Sequence, residues 1–276
     1  MPRFVNFNGK QIEADSPIVT AGNRGLRYGD GVFETMKMIG SEIRLAGFHF
    51  ERLFGALDLL QFSVPSHFNA DYLTEQIVQL CSKNNLGKMV RIRLNVFRKN
   101  GGLYDLIDHT PEFVIEAWEL PDNYLRLNEN GLIVDVFDGA RKSPDRFSSL
   151  KSNNYLPYTM GALFAKQQKV NDCLILNTHG RACDATIANI FWVRNQTIFT
   201  PPLSEGCIAG VMRRHLLEFL PAKGYQVQEQ ILDLDDLYDA DELFLTNATS
   251  GIRWVKQFRE KRFQKNLSPV VYELLS

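Results

Sequence analysis

The sequence predicts an α/β protein with mixed sheets, organised as two domains. Three observations predict it. Strand-like and helix-like hydrophobic patterns succeed one another along the chain. The 276 residues, 45% of them hydrophobic, can bury a sizeable core. A polar, turn-rich stretch over 120–130, carrying Pro121, Asp122 and Asn123, interrupts the patterned regions. The expected organisation is a first domain over 1–119, a linker over 120–130 and a second domain over 131–276.

Taken in order, F-V-N-F-N-G-K-Q-I-E holds an Asn-Gly pair between two strands, the sign of a tight hairpin. Helical spacing follows over 47–61 and 69–83, then alternating strands in M-V-R-I-R-L-N-V-F-R and E-F-V-I-E-A-W. Beyond the linker come a strand over 132–137, a loop around Lys151, a helix from about Ser152 to Lys169, and strands flanking Asp184. Leu216, Leu217 and Leu220 mark a further helix opened by the loop S-E-G-C-I-A-G, and E-L-F-L is a strand leading into a second loop at Asn247.

Composition excludes several functions. Lysine and arginine number 31 against 32 acids and are dispersed, and the densest cluster, Arg259 to Arg262, is broken by Glu260, so no nucleic-acid partner is expected. No segment has the length or apolarity of a membrane span, and the N-terminal stretch is not a secretory signal; a cytoplasmic location is the expectation. Cys81, Cys173, Cys183 and Cys207 are scattered, and the five histidines show no ligand spacing, so neither disulfides nor a metal are expected.

The chemistry begins at Lys151, in F-S-S-L-K-S-N-N-Y-L. A lysine in a dry pocket loses its proton readily and condenses with an aldehyde to a Schiff base. Pyridoxal phosphate is the usual aldehyde, and it asks for a carboxylate at its ring nitrogen, a donor at its ring hydroxyl and amides around its phosphate. Asp184, on a strand after the His179–Gly180 turn, is the carboxylate candidate. Tyr155, four residues after Lys151 and on the same side of the expected helix, is the hydroxyl partner. The loop-to-helix stretch 206–213 offers free amides to an anion. Each residue alone has a plainer meaning: a solvated loop lysine, a strand-end acid, an ordinary turn. Their order along one chain outweighs those separate readings.

That order, from R-G-L-R-Y-G-D-G-V-F-E-T through H-F-E-R-L, the Lys151 segment, A-N-I-F-W and G-V-M-R to L-T-N-A-T-S-G-I, resembles the class IV, fold type IV pyridoxal-phosphate enzymes over nearly the whole chain. That group includes branched-chain and D-amino-acid aminotransferases and 4-amino-4-deoxychorismate lyase. The resemblance implies pyridoxal 5'-phosphate in a cleft between the domains, with Lys151 joined to it and shuttling a proton. It further implies that Arg52 binds the phosphate, that Tyr155 meets the ring hydroxyl, and that Val211, Met212, Asn247 and Ala248 lend backbone amides. A homodimer is implied as well. Three departures stand out: Asp184 where the family has glutamate, shorter by about 1.5 Å, and Met212 and Ala248 where many relatives carry threonine.

For the substrate, Phe33 is a candidate apolar wall, and Arg91, Arg93 and Arg98 are candidate carboxylate ligands, Arg98 favoured because it opens the R-K-N-G-G loop. F-E-T looks like the aminotransferases, whereas G-V-M-R, Asn247-Ala248 and A-N-I-F-W look like the lyase. The expectation is transamination of a branched-chain or similar apolar amino acid, with 2-oxoglutarate as the 2-oxo acid acceptor. Release of pyruvate from aminodeoxychorismate is the alternative, and a catalytically silent homologue is a third.

Overall fold

The computed structural model describes residues 2–102 and 108–275. They fall into two compact units. The first holds the chain up to Asp122 together with Lys151–Asn154; the second holds Asn123–Leu150 and the chain from Tyr155 onward. The division lies inside the expected linker, but it differs from the expected domains in one respect: Lys151 belongs to the first unit. The reason is backbone pairing. Phe33 N donates to Lys151 O at 2.9 Å and Asn153 N to Gly31 O at 2.9 Å, around a bridge between Val32 and Ser152.

The first unit contains β1 (Phe4–Phe7), β2 (Lys10–Glu13), α1 (Arg24–Tyr28), β3 (Gly31–Ile39), β4 (Glu42–Ile43), α2 (Ala46–Leu59), α3 (Ala70–Lys83), β5 (Met89–Arg98) and β6 (Pro111–Glu119). Its strands form one antiparallel sheet ordered β2-β1-β6-β5-β3-β4. The Asn-Gly pair turns the first hairpin with Asn8 at φ 50° and Gly9 at φ 84°, the positive values such a turn demands. Asn69 caps α3 by accepting from Tyr72 N at 2.9 Å.

Alternation gives this sheet two unlike faces. Register aligns Met36 with Ile92 and Glu34 with Leu94, and beyond them Ala117 and Ile115. That face is buried, packed with Leu53 and Leu57 of α2 and Leu73, Ile77 and Leu80 of α3. The other face aligns Phe33 with Asn95, Thr35 with Arg93 and Lys37 with Arg91, continuing to Glu116 and Trp118. It is polar and largely half-buried.

The second unit contains β7 (Leu132–Lys142), α4 (Leu156–Gln168), β8 (Asp172–Asn177), β9 (Ala182–Ala185), β10 (Asn189–Arg194), β11 (Thr197–Thr200), α5 (Val211–Ala222), β12 (Val227–Glu229), α6 (Asp236–Asp239), β13 (Glu242–Asn247), β14 (Gly251–Phe258), β15 (Lys261–Arg262) and α7 (Leu267–Leu274). A mixed sheet runs β12-β11-β10-β13-β14-β7-β8-β9, with β15 on β14. β7 is parallel to both β14 and β8. Both faces are covered, so β8 and β10 read as near-continuous apolar runs instead of alternating. Trp192, Leu243, Leu245 and Phe258 pack on one side, and Phe191, Phe244, Leu216 and Leu220 on the other.

Two expectations change in detail. The helix expected from Ser152 begins at Leu156, so Tyr155 is its N-cap and Lys151 lies in extended chain. Pro157 in the first turn explains the late start, since a proline has no N–H to donate to the carbonyl four residues back and its ring crowds that carbonyl, so the helix cannot extend a turn earlier. The strand expected over 132–137 runs on to Lys142, past an irregularity that leaves 138–140 without partners on β8.

Candidate active site

In the first unit two of the candidate side chains lie over Phe33. Lys151 Nζ lies 4.4 Å from the centroid of its ring and the Arg93 guanidinium 4.0 Å, so the phenyl is a floor under two cations more than a bare apolar wall. Asn153 Nδ2 donates to Asn95 Oδ1 at 2.9 Å, tying the lysine segment to β5. Arg91, over the Trp118 ring at 5.2 Å, and Lys37 extend the same face. Burial pushes the Glu116 carboxyl up, while Arg93 and Arg91 pull it the other way.

On the opposite face Glu34 sits among apolar side chains, and α2 supplies its partners. Arg52 forks onto it with Nε at 2.7 Å and Nη2 at 2.5 Å, and His49 Nδ1 stands 2.6 Å away. Burial opposes the charge, but Arg52 and His49 outweigh it and hold the Glu34 carboxyl at about 2.

Arg98 is placed differently from the flexible loop residue the sequence suggested. It ends β5, buried, with Nε on Asp30 Oδ1 at 3.1 Å, Nη1 on Gln61 O at 3.4 Å and beside His109 Nδ1 at 2.8 Å, and Nη2 on Leu60 O. Its guanidinium is committed to the chain's own acceptors. A substrate carboxylate would have to displace them, which makes Arg98 a clamp joining β5 to the end of α2.

In the second unit Asp184, on β9, is fully buried and its carboxylate is densely held. Oδ1 accepts from Asn189 Nδ2 at 2.9 Å. Oδ2 accepts from Ile208 N at 2.9 Å, Tyr158 Oη at 2.7 Å and Lys142 Nζ at 3.3 Å. Burial pushes this carboxyl up from the usual aspartate range; Lys142 and the hydrogen bonds work against that. Tyr155 stacks on Tyr158 with centroids 4.3 Å apart and donates to Thr186 O at 3.3 Å.

Val211 and Met212 open α5 behind Gly210, and no side chain caps the helix among the described residues, so first-turn amides remain available to an anion. Gly210 is required there: a Cβ would lie 1.8 Å from Asn189 Oδ1. Asn189 also donates to Ile208 O at 2.8 Å, linking the Asp184 carboxylate to the helix entry. Opposite Asn189 on β13 is Thr246, whose buried hydroxyl has no partner among the described residues, and the turn of Asn247 and Ala248 follows directly. Asn247 Oδ1 closes that turn by accepting from Ser250 N at 2.7 Å. The second unit thus holds Tyr155, Asp184, Val211, Met212, Asn247 and Ala248, with Asn189 bonded both to Asp184 and to Ile208 O ahead of α5 and paired across the sheet with Thr246.

Sequence reasoning missed Lys142 and Tyr158. Tyr158 was accessible as the residue one turn beyond Tyr155. Lys142 was not, because the unpaired 138–140 stretch that sets its position leaves no mark in the hydrophobic pattern.

The description of the amino-transferase class IV family matches residues 31–258. The chain belongs to that family. It is 30% identical over 236 residues to the aminodeoxychorismate lyase of Vibrio harveyi, covering 85% of each chain. It is 24% identical over 262 residues to the branched-chain-amino-acid aminotransferase of Escherichia coli strain K12, covering 92% of this chain and 84% of that one. Its fold matches the crystal structure of the Escherichia coli branched-chain amino acid aminotransferase with TM-score 0.89 and 22% identity, over 100% of this chain and 93% of that one. The family is one of pyridoxal-phosphate-dependent enzymes, aminotransferases and lyases. The parts present in each unit fit that cofactor: in the first, an amine at 151; in the second, an uncapped helix start whose glycine leaves no room for a Cβ, a buried hydroxyl at Thr246 without a partner among the described residues, and a buried carboxylate at Asp184. Among the described residues no group of His, Cys, Asp and Glu side chains could hold a metal, and no helix is long and apolar enough to cross a membrane.

Proposed function

We propose that this family member is a 4-amino-4-deoxychorismate lyase, releasing pyruvate and leaving 4-aminobenzoate, with Lys151 as the catalytic amine. The observation that carries the choice is the charge of the sheet face beside Lys151. Lys37, Arg91 and Arg93 accompany the lysine, against Glu112 and Glu116. A branched-chain amino acid offers one carboxylate and asks for an apolar pocket; aminodeoxychorismate offers two carboxylates, one on its cyclohexadiene ring and one on the enolpyruvyl group. A cationic face with Phe33 and Trp118 suits the second. The reading reverses the order expected from sequence.

Bound pyridoxal phosphate supplies an electron sink at the carbon bearing the amine. In this reading Lys151 would hold the cofactor, and its Nζ would take the proton from the carbon bearing the substrate amine. The C–O bond to the enolpyruvyl group breaks with the electron pair leaving on oxygen, and the enol takes up a proton to become pyruvate. Arg93 orients a carboxylate over Phe33. Asp184 is the residue assigned to the ring nitrogen, Tyr155 to the ring hydroxyl, and Arg52 with the amides of Val211, Met212, Asn247 and Ala248 to the phosphate.

Transamination is the second reading, favoured by Phe33-Glu34-Thr35, which resembles the aminotransferases; its glutamate half-reaction also needs a second carboxylate site. One assay separates the two. The purified protein is given aminodeoxychorismate with no acceptor, and in parallel branched-chain amino acids with 2-oxoglutarate. Pyruvate in the first supports the lyase, and glutamate in the second alone reverses the choice. Lys151→Ala should lose turnover and the borohydride-sensitive visible absorption together; wild-type protein without either is the silent homologue. The homodimer belongs to the same proposal. Leu156, Met160 and Leu163, exposed on one side of α4, supply apolar surface for it, and sedimentation tests it.

A further inference from the structure

Positive charge on the polar face of the first sheet continues past Lys151 and Arg93. Register sets two successive rows across β3, β5 and β6: Thr35, Arg93 and Glu116, then Lys37, Arg91 and Trp118. The inner row carries its own carboxylate. The outer row does not: Lys37 stands directly opposite Arg91, and Lys37 O accepts from Arg44 N at 2.9 Å. Arg44 has Glu42 at 4.0 Å. Arg91 is exposed, its guanidinium lies 5.2 Å from the centroid of the Trp118 ring, and it forms no ion pair among the described residues. Like charges placed directly across a strand pair are destabilising, and an anion received between them removes that cost.

We propose that Arg91, with Lys37 opposite it, is the subsite for the ring carboxylate of the substrate, and that Arg93 takes the enolpyruvyl carboxylate. The assignment rests on the lyase reading. Aminodeoxychorismate bears its amine para to the ring carboxylate and next to the enolpyruvyl ether. With the amine-bearing carbon at Lys151, the nearer carboxylate is the enolpyruvyl one, and Arg93 shares the Phe33 ring with Lys151. The ring carboxylate points the other way, where the next cation along β5 is Arg91. Alternation puts the two arginines on one face, roughly 6.6 Å apart along the strand, a span within reach of two groups carried on one ring. Stacking on Trp118 holds the Arg91 guanidinium in place, so less freedom is lost when it binds a carboxylate. A branched aliphatic side chain has nothing to offer it. Arg91 is thus a specificity-determining residue that selects an acidic ring over an apolar side chain.

The test is calorimetric binding of two probes to the full-length protein supplied with pyridoxal phosphate. One is 3-(carboxymethoxy)benzoate, which carries both carboxylates; the other is phenoxyacetate, which lacks the one on the ring. Wild type should bind the first about 10-fold more tightly, the worth of one charged hydrogen-bonding partner. Arg91→Met should abolish that preference and leave phenoxyacetate binding as it was, Arg91→Lys should keep part of the preference, and Lys37→Met should reduce it. With aminodeoxychorismate, Arg91→Met should raise KM about 10-fold with a smaller effect on kcat, the mark of binding lost alike from ground and transition states. Equal binding of both probes by the wild type overturns the proposal even if the variants fail to fold. Equal weakening of both probes by Arg91→Met, the result of a merely structural role, overturns it as well. Pyruvate release with the preference intact in Arg91→Met sinks the inference and leaves the lyase reading standing. Loss of the preference in a protein that releases no pyruvate sinks the lyase reading and leaves Arg91 as a carboxylate subsite for a different substrate.

Discussion

Glu34 shows how one charged residue in an apolar layer is made tolerable. Alternation along β3 sends its carboxylate to the helix-covered face, where an ionised side chain costs several kcal/mol unless paired. Arg52 and His49 from α2 supply the pairing. Because its proton affinity is lowered from 4.5 to about 2 on folding, the stabilisation is complete above pH 4.5 and is lost as pH falls toward 2. Glu34→Gln should cost about 3 kcal/mol at pH 7 by leaving Arg52 without its counter-charge. Urea midpoints measured from pH 7 to 3 should fall less steeply in the variant than in the wild type. The triad was only partly legible beforehand: Arg52 was recognisable in H-F-E-R-L, but its bond to Glu34 required knowing that α2 packs on β3.

At the scale of elements, the entry to α5 is the most constrained. Gly210 is not needed for a left-handed backbone, since its φ is −66°. It is needed because Asn189 occupies the space of a side chain. Gly210→Ala should displace Asn189 from Asp184 and Ile208, destabilise the fold by about 1–3 kcal/mol and weaken phosphate retention, seen as faster loss of visible absorption on dialysis. Gly55→Ala on the open side of α2 is the contrasting case: nothing lies within 4 Å of the added Cβ, and stability should rise by up to about 1 kcal/mol through helix propensity. Hairpin, helices and strands followed the hydrophobic period and turn chemistry closely. The exceptions have local causes, Pro157 delaying α4 and the irregularity within β7 carrying that strand to Lys142.

For the whole molecule, each unit has its own buried core, one around α2 and α3 and one on both faces of the mixed sheet. Cofactor-free protein should therefore unfold with a calorimetric enthalpy exceeding the van't Hoff value. If, as proposed, the cofactor is joined to Lys151 and held by residues of the second unit, it would stabilise each unit only while the other is folded, and borohydride-reduced holoprotein should bring the two enthalpies together; an unchanged ratio would count against that assignment.

Periodicity, turn residues and motif order were enough to determine the fold class and to name the residues from Arg52 to Ala248 as candidates. Those are properties of local chain chemistry and of spacing, and both are written residue by residue. Tertiary structure alone decided that Lys151 pairs with β3, that Arg98 is locked into the chain's own acceptors, that Arg93 shares the Phe33 ring with Lys151, and that Lys142 reaches Asp184. Each depends on which strands become neighbours and in what register, and a hydrogen bond or ion pair between residues tens of positions apart leaves no periodic trace in the sequence that makes it.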